Sequence, residues 1–148
     1  MNPHPYLRSF LAGIFIPVLF LPVMLTGFIL ARLVFQFPFP IERGLVFPMA
    51  VVPALWGLWN MLWMGTRTRS GISLGLHGVV LPLLLLPAGA LTAGCLGVLQ
   101  LQSGSALWFA TVAVPYALIV PCFLAVLVVY YFLWKYVVGW LNQLLGVA

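Results

Sequence analysis

Gly78-Val-Val-Leu-Pro82-Leu-Leu-Leu-Leu-Pro87 decides how this chain is read. It lies in an apolar run long enough to cross a bilayer, and proline interrupts it twice. Sixty-five residues upstream, Gly13-Ile-Phe-Ile-Pro17-Val-Leu-Phe-Leu-Pro22 has the same glycine and proline spacing. Two more proline pairs, Pro48/Pro53 and Pro115/Pro121, fall in the other two apolar runs. A proline inside a helix removes an i→i−4 hydrogen bond and crowds the preceding turn. In lipid the freed carbonyl must find a neighbouring helix, a hydroxyl side chain or water. The pattern predicts a small polytopic membrane protein with kinked helices that depend on one another.

Composition agrees. Of 148 residues, 65% are hydrophobic and 5% charged, namely six basic residues and Glu42. A soluble domain carries roughly 25% charged residues. A net charge of +5 in a soluble protein would suggest nucleic acid. Here the basic residues are few, scattered and outside the apolar runs, so they read as topology signals and headgroup contacts. The expected partners are membrane lipids, and not nucleic acid. Arg8 followed by an apolar run also resembles a signal peptide. The run from Leu11 to Ala31 exceeds the roughly 7–15 residues of a signal core, and no small-x-small cleavage site follows. It is read as a retained span.

The expected architecture is an all-α membrane domain over residues 1–148, with four proline-kinked transmembrane helices at about 10–34, 45–64, 71–98 and 106–134. Each meets the ~20 residues that ~30 Å of hydrocarbon requires. Pro3 and Pro5 keep an N-terminal arm non-helical, and Gly65 to Ser70 and Gln100 to Ser105 form turns. Residues 135–148 read as an interfacial tail, or as an extension of the fourth helix. Both termini lie with Arg8, Arg67, Arg69 and Lys135, against Arg32 and Arg43 on the other side. The side richer in Lys and Arg is the cytoplasm. The expected location is multi-pass, in a bacterial inner (plasma) membrane.

Aligning residues 8–22 with 73–87 matches Gly13, Pro17 and Pro22 to Gly78, Pro82 and Pro87. The halves can be read as a tandem two-helix repeat in parallel orientation, or as coincidence in a proline-rich chain. Kinks are expected at Pro17, Pro22, Pro53, Pro82, Pro87, Pro115 and Pro121. They either shape a compact bundle or line a cavity. No span holds a carboxylate, which argues against proton- or cation-coupled transport.

Gly71/Gly75 and Gly89/Ala93/Gly97 form small-residue seams that let helices approach closely. They make the third span the expected central, buried helix. Trp56, Trp59 and Trp63 share one side of the second span and are read as a packing or partner face. Asn60 and His77 fall at similar depth on adjacent antiparallel spans, and a contact between them is expected. With Arg67 and Arg69 just below, they form a candidate headgroup site. The plainer reading is an interhelix hydrogen bond worth on the order of 1 kcal/mol. Haem through His77 would need a second axial ligand, and the other histidine, His4, is in the arm. No ligand spacing suits zinc. Cys95 and Cys122 fall at different depths, beyond disulfide reach.

There is no Asp, so a Ser-His-Asp set is excluded, and no other catalytic constellation is found. No cofactor is expected. Two functions fit: a non-catalytic subunit or assembly partner in a membrane complex or homo-oligomer, or a carrier or binding protein for a lipid, quinone or other apolar small molecule.

Overall fold

The computed structural model describes residues 4–36, 47–110 and 112–147. The chain is mostly helical: α1 (Pro5–Leu33), α2 (Phe47–Ser70), α3 (Leu74–Cys95) and α4 (Tyr116–Phe132). Between α3 and α4 lies a small sheet of β1 (Leu99–Gln102), β2 (Ser105–Trp108) and β3 (Val112–Pro115). Beyond α4 the helix continues through a π-helical segment (Leu133–Val138) into α5 (Gly139–Leu144). Three helices are long and apolar enough to cross a membrane: Pro5–Leu33, Leu74–Cys95 and the continuous Tyr116–Leu144. Their outward faces carry Leu, Val, Ile and Phe, a surface suited to lipid and not to water.

Several boundaries differ from expectation for identifiable reasons. α1 begins at Pro5, within the arm expected to be non-helical. Proline is well suited to the first helical position, where its missing N–H has no acceptor to lose. α2 runs on through Gly65 to Ser70, the stretch expected to turn. Thr66 bonds back to the Leu62 carbonyl at 2.8 Å, and Arg67 and Arg69 sit in the last turn, where cations favour the helix dipole. The turn comes at Gly71, whose φ of +60° only glycine adopts cheaply. Ser73 then caps α3 by accepting from Leu76 N at 3.4 Å. The connection between the first and second expected spans, which carries Glu42 and Arg43, lies outside the described residues from 37 to 46.

The largest correction is at residues 99–115. The expected turn is a β-hairpin: Gln102 faces Ser105 across Ser103-Gly104, with Gly104 at φ +98°. The expected start of a fourth helix at Ala106 is instead β2, and β3 pairs with it antiparallel, Ala106 opposite Val114. Tyr116 Oη donates to the Gln102 carbonyl at 2.8 Å and ties the sheet to α4. Pro115 is therefore no kink; it ends β3 and stands immediately before α4. The other six prolines expected as kinks all lie inside helices.

α1 and α2 run antiparallel in close contact. A Cβ on Gly13 would fall 2.6 Å from the Trp56 carbonyl oxygen and 2.9 Å from Gly57 Cα. α3 and α4 also run antiparallel, and a Cβ on Gly78 would collide with the Trp134 side chain. Small residues permit such approaches in lipid, where dispersion contacts replace the hydrophobic drive. The hairpins meet at Trp56 and Trp134, whose ring centroids are 5.3 Å apart. Leu81 and Val138 complete this core.

α3 buries 28% of its most apolar window, against 6% for α1 and for Tyr116–Leu144. That burial comes from its first half, Gly75 to Pro82, and not from the expected Gly89/Ala93/Gly97 seam. Gly71 lies outside α3, which breaks the Gly71/Gly75 step, while Gly75 packs against Tyr131. A Cβ on Gly89 would meet nothing within 4 Å, and Gly97, at φ +69°, lies past the helix end.

Residues 135–148 can lie in the interface or extend the fourth helix on the sequence alone. The described part, to Val147, extends it and turns inward: Trp134, Val138, Leu141 and Asn142 are buried. Their spacing of four, three and one is that of a single helical face.

Candidate functional site

The polar residues gather at the end of the fold where α1 begins and α2 ends. Asn60 is fully buried. Its Nδ2 donates to the Ser9 carbonyl at 2.7 Å and to Asn142 Oδ1 at 2.8 Å. Asn142 Nδ2 donates back to Asn60 Oδ1 at 3.1 Å. Three segments far apart in sequence are thus joined by one reciprocal amide pair. Both Asn60 donors are used, which leaves none for His77. The expected Asn60–His77 hydrogen bond is absent among the described residues.

His77 pairs with Trp59 instead. Its Nε2 lies 3.1 Å from the Trp59 carbonyl oxygen, and Trp59 Nε1 donates to the His77 carbonyl at 2.9 Å. The rings stack at 4.7 Å, and the Trp134 ring meets the imidazole edge at 6.2 Å. The two polar side chains at similar depth therefore have separate partners. Arg67 lies over the Trp63 ring at 5.4 Å, and Arg69 is exposed at the end of α2. The four residues of the expected headgroup site take different neighbours. Arg8 Nη1 donates to the Leu145 carbonyl at 3.2 Å, holding the C-terminal segment to α1.

His77→Leu removes one hydrogen bond and two ring contacts, with an expected cost of about 1–2 kcal/mol. Asn60 loses nothing by it. The cost should therefore add to that of Asn142→Leu within roughly 0.5 kcal/mol. Melting in detergent measures both, and strong coupling between them would show the two pairs to be one network.

The tryptophans expected to form a partner face are largely interior. Trp56 and Trp63 are 4% and 9% exposed, and Trp59 is half-buried against His77. Among the described residues, Trp56 Nε1, Trp63 Nε1, Trp134 Nε1 and Ser9 Oγ are buried without a hydrogen-bond partner. Buried donors are nearly always paired, so such groups call for a physical reason.

Two clefts lie among the helices. The first, of about 300 Å³, lies between α1, α2 and α4 beside Pro17, Trp56 and Tyr130. The second, of about 440 Å³, lies between α2 and α3 and reaches Trp108 and Phe109 of the sheet region. Gly89 and Ala93 line it. Cys95 and Cys122 are exposed, free thiols. Among the described residues, no three His, Cys, Asp or Glu side chains gather as a metal site.

Asn142, and the inward position of Trp134, which with Tyr130 and Tyr131 reads from the sequence as an aromatic packing surface, are what sequence reasoning misses. Their signal is the spacing Trp134, Val138, Leu141, Asn142, a helical face continuing past the apolar run. Comparison with protein-family models, curated proteins and solved structures finds no match to this chain.

Proposed function

We propose that the chain crosses the membrane four times, α2 included, and serves as a non-catalytic subunit or assembly partner. In its simplest form it pairs with a second copy of itself. The observation that carries this reading is the open groove between α2 and α3. Gly89 and Ala93 stand one helical turn apart on its wall, and a Cβ at Gly89 would meet nothing within 4 Å. A small-residue seam with no helix against it is a surface on which another helix packs closely. α2 is 24 residues long, about 36 Å of helix, sufficient for a crossing. The matched close contacts of Gly13 and Gly78 support a tandem repeat of two hairpins.

Gly89→Leu with Ala93→Leu fills the groove, and at Gly89 an added Cβ meets nothing within 4 Å. The native chain should appear as a dimer or larger oligomer by native mass spectrometry from nanodiscs, and the double variant as a monomer with an unchanged melt. A native chain that stays monomeric across nanodiscs and mild detergents would end the assembly reading. With four crossings, a reporter fused after Ala148 should be active in the cytoplasm, following the four Lys/Arg residues on that side against two; activity only outside would reverse the orientation.

A further inference from the structure

The free edge of the small sheet carries an inference that deepens the assembly reading and rests on its pairing of two copies. The ladder fixes which groups that edge presents. Phe109 N–H donates to the Val98 carbonyl at 2.8 Å, and hydrogen-bonded pairs alternate with non-bonded ones along an antiparallel ladder. Gln100 and Gln102 therefore bond across to Leu107 and Ser105, while Leu99 and Leu101 turn their N–H and C=O groups away from β2. Among the described residues no strand lies beside them, and the Leu101 side chain is 76% exposed. Edge strands are ordinarily blunted by lysine, proline or a bulge, and β1 has none of these. The opposite edge is blunted: β3 presents Ala113 and Pro115 outward, and proline has no N–H to offer.

We propose that β1 pairs antiparallel with β1 of a second copy, Gln100 opposite Gln100, joining the two sheets into one across a two-fold axis. Only this register uses every outward group within β1. Leu99 meets the second copy's Leu101 and exchanges both N–H···O bonds with it, and the reciprocal pair does the same. The side chains match as well: leucine lies beside leucine on one face, and glutamine faces glutamine on the other. β1 has no charge to repel its like. Symmetry gives a second argument. Two copies inserted in the same direction are related by a two-fold along the membrane normal. The two-fold of an antiparallel strand pair stands perpendicular to its sheet. The two axes coincide only for a sheet lying flat on the membrane, and this sheet suits that position. By register Leu99, Leu101, Ala106, Trp108, Val112 and Val114 share one face, with Gln100, Gln102 and Ser105 on the other. The first face suits lipid and the second water. The groove lined by Gly89 and Ala93 also runs along α3 to Val98, the residue before β1, so helix seam and strand edge are continuous.

The test uses the full chain, with Cys95→Ser and Cys122→Ser, in nanodiscs under copper–phenanthroline oxidation. In the proposed register the Gln100 Cα atoms of the two copies lie about 4.5 Å apart, within disulfide reach, whereas those of Gln102 lie about 14 Å apart. Gln100→Cys should form a covalent dimer at least about tenfold faster than Gln102→Cys. Leu101→Pro removes an outward N–H and no bond to β2, and should slow the Gln100→Cys crosslink about tenfold. Charge gives an independent readout by native mass spectrometry. Gln100→Lys should weaken the dimer about fivefold, Gln100→Glu likewise, and a mixture of the two should recover it. Melts establish that each variant is folded, and the charge pair decides the matter if Leu101→Pro does not fold. If native dimers form yet Gln100→Cys crosslinks no faster than Gln102→Cys, or the mixed charges recover nothing, the strand pairing is overturned while the seam at Gly89 and Ala93 stands. If the native chain stays monomeric, both fall. Crosslinking that persists alongside Gly89→Leu and Ala93→Leu keeps the strand pairing and removes the seam's role.

Discussion

Gly13→Leu should leave little folded protein in the membrane, and Gly13→Ala should cost about 2 kcal/mol. A Cβ at this position falls 2.6 Å from the Trp56 carbonyl oxygen, 2.9 Å from Gly57 Cα and 3.0 Å from Asn60 Cβ. Two of these atoms are backbone, which cannot swing aside as a side chain can. Relief requires α1 to move away from α2. The Ser9 carbonyl then leaves Asn60, to which it is bonded at 2.7 Å, and the packing of Ile16 and Val52 on the core loosens. Overpacking of a close contact costs roughly 1–3 kcal/mol for small additions, and more where the backbone must shift. Gly78→Ala should behave similarly, since the added carbon meets Trp134, which is fully buried. Gly94→Ala is the control: nothing lies within 4 Å, and alanine favours the helix by up to about 1 kcal/mol. Reversible unfolding in mixed micelles measures all of these. A Gly13→Leu protein as stable as the native chain would show that α1 and α2 do not touch there.

The same glycines show how much of the fold is legible in the sequence. The shared Gly-x-x-x-Pro-x-x-x-x-Pro spacing singles out residues 13–22 and 78–87, and both glycines prove to be close-contact points. Their partners are not legible, because leucine-rich helices offer no pairing code. The sheet at residues 99–115 is hidden for a different reason. Ala106 to Pro115 is apolar, and an apolar run alone does not distinguish a strand from a helix. Local chemistry is the better guide: Ser103-Gly104 is a hairpin turn, and Val112 and Val114 favour strands. Asn60 and His77 stand out in the sequence as polar groups in an apolar setting. The expected pairing rests on depth alone, and depth does not fix direction around a helix axis. Trp59 stands next to Asn60 in sequence yet faces His77, and Asn60 is turned toward Asn142.

That amide pair carries the second large effect. Asn60→Leu keeps the branched shape of the side chain, with bulkier methyl tips, and removes three hydrogen bonds: two to Asn142, at 2.8 and 3.1 Å, and one to the Ser9 carbonyl, at 2.7 Å. It leaves the Asn142 amide buried beside leucine, and Asn142 is itself fully buried. An expected cost of about 3 kcal/mol combines the lost bonds with the stranded group. Asn142→Leu leaves Asn60 its bond to Ser9 and should cost about 2 kcal/mol. The double variant strands neither amide, so its cost should fall short of the sum of the two by about 1–2 kcal/mol. The consequence reaches beyond stability, because this pair and the Arg8–Leu145 bond are polar ties of the C-terminal helix to α1 and α2. Loss of the pair should free Leu141 to Leu145 to protease while the Gly13 and Gly78 contacts hold the rest together. Limited proteolysis in nanodiscs reads that release directly. Strict additivity of the two substitutions, with the C-terminal segment still protected in the double variant, would show that apolar packing of Trp134, Val138 and Leu141 alone fixes the helix and that the amides are passengers.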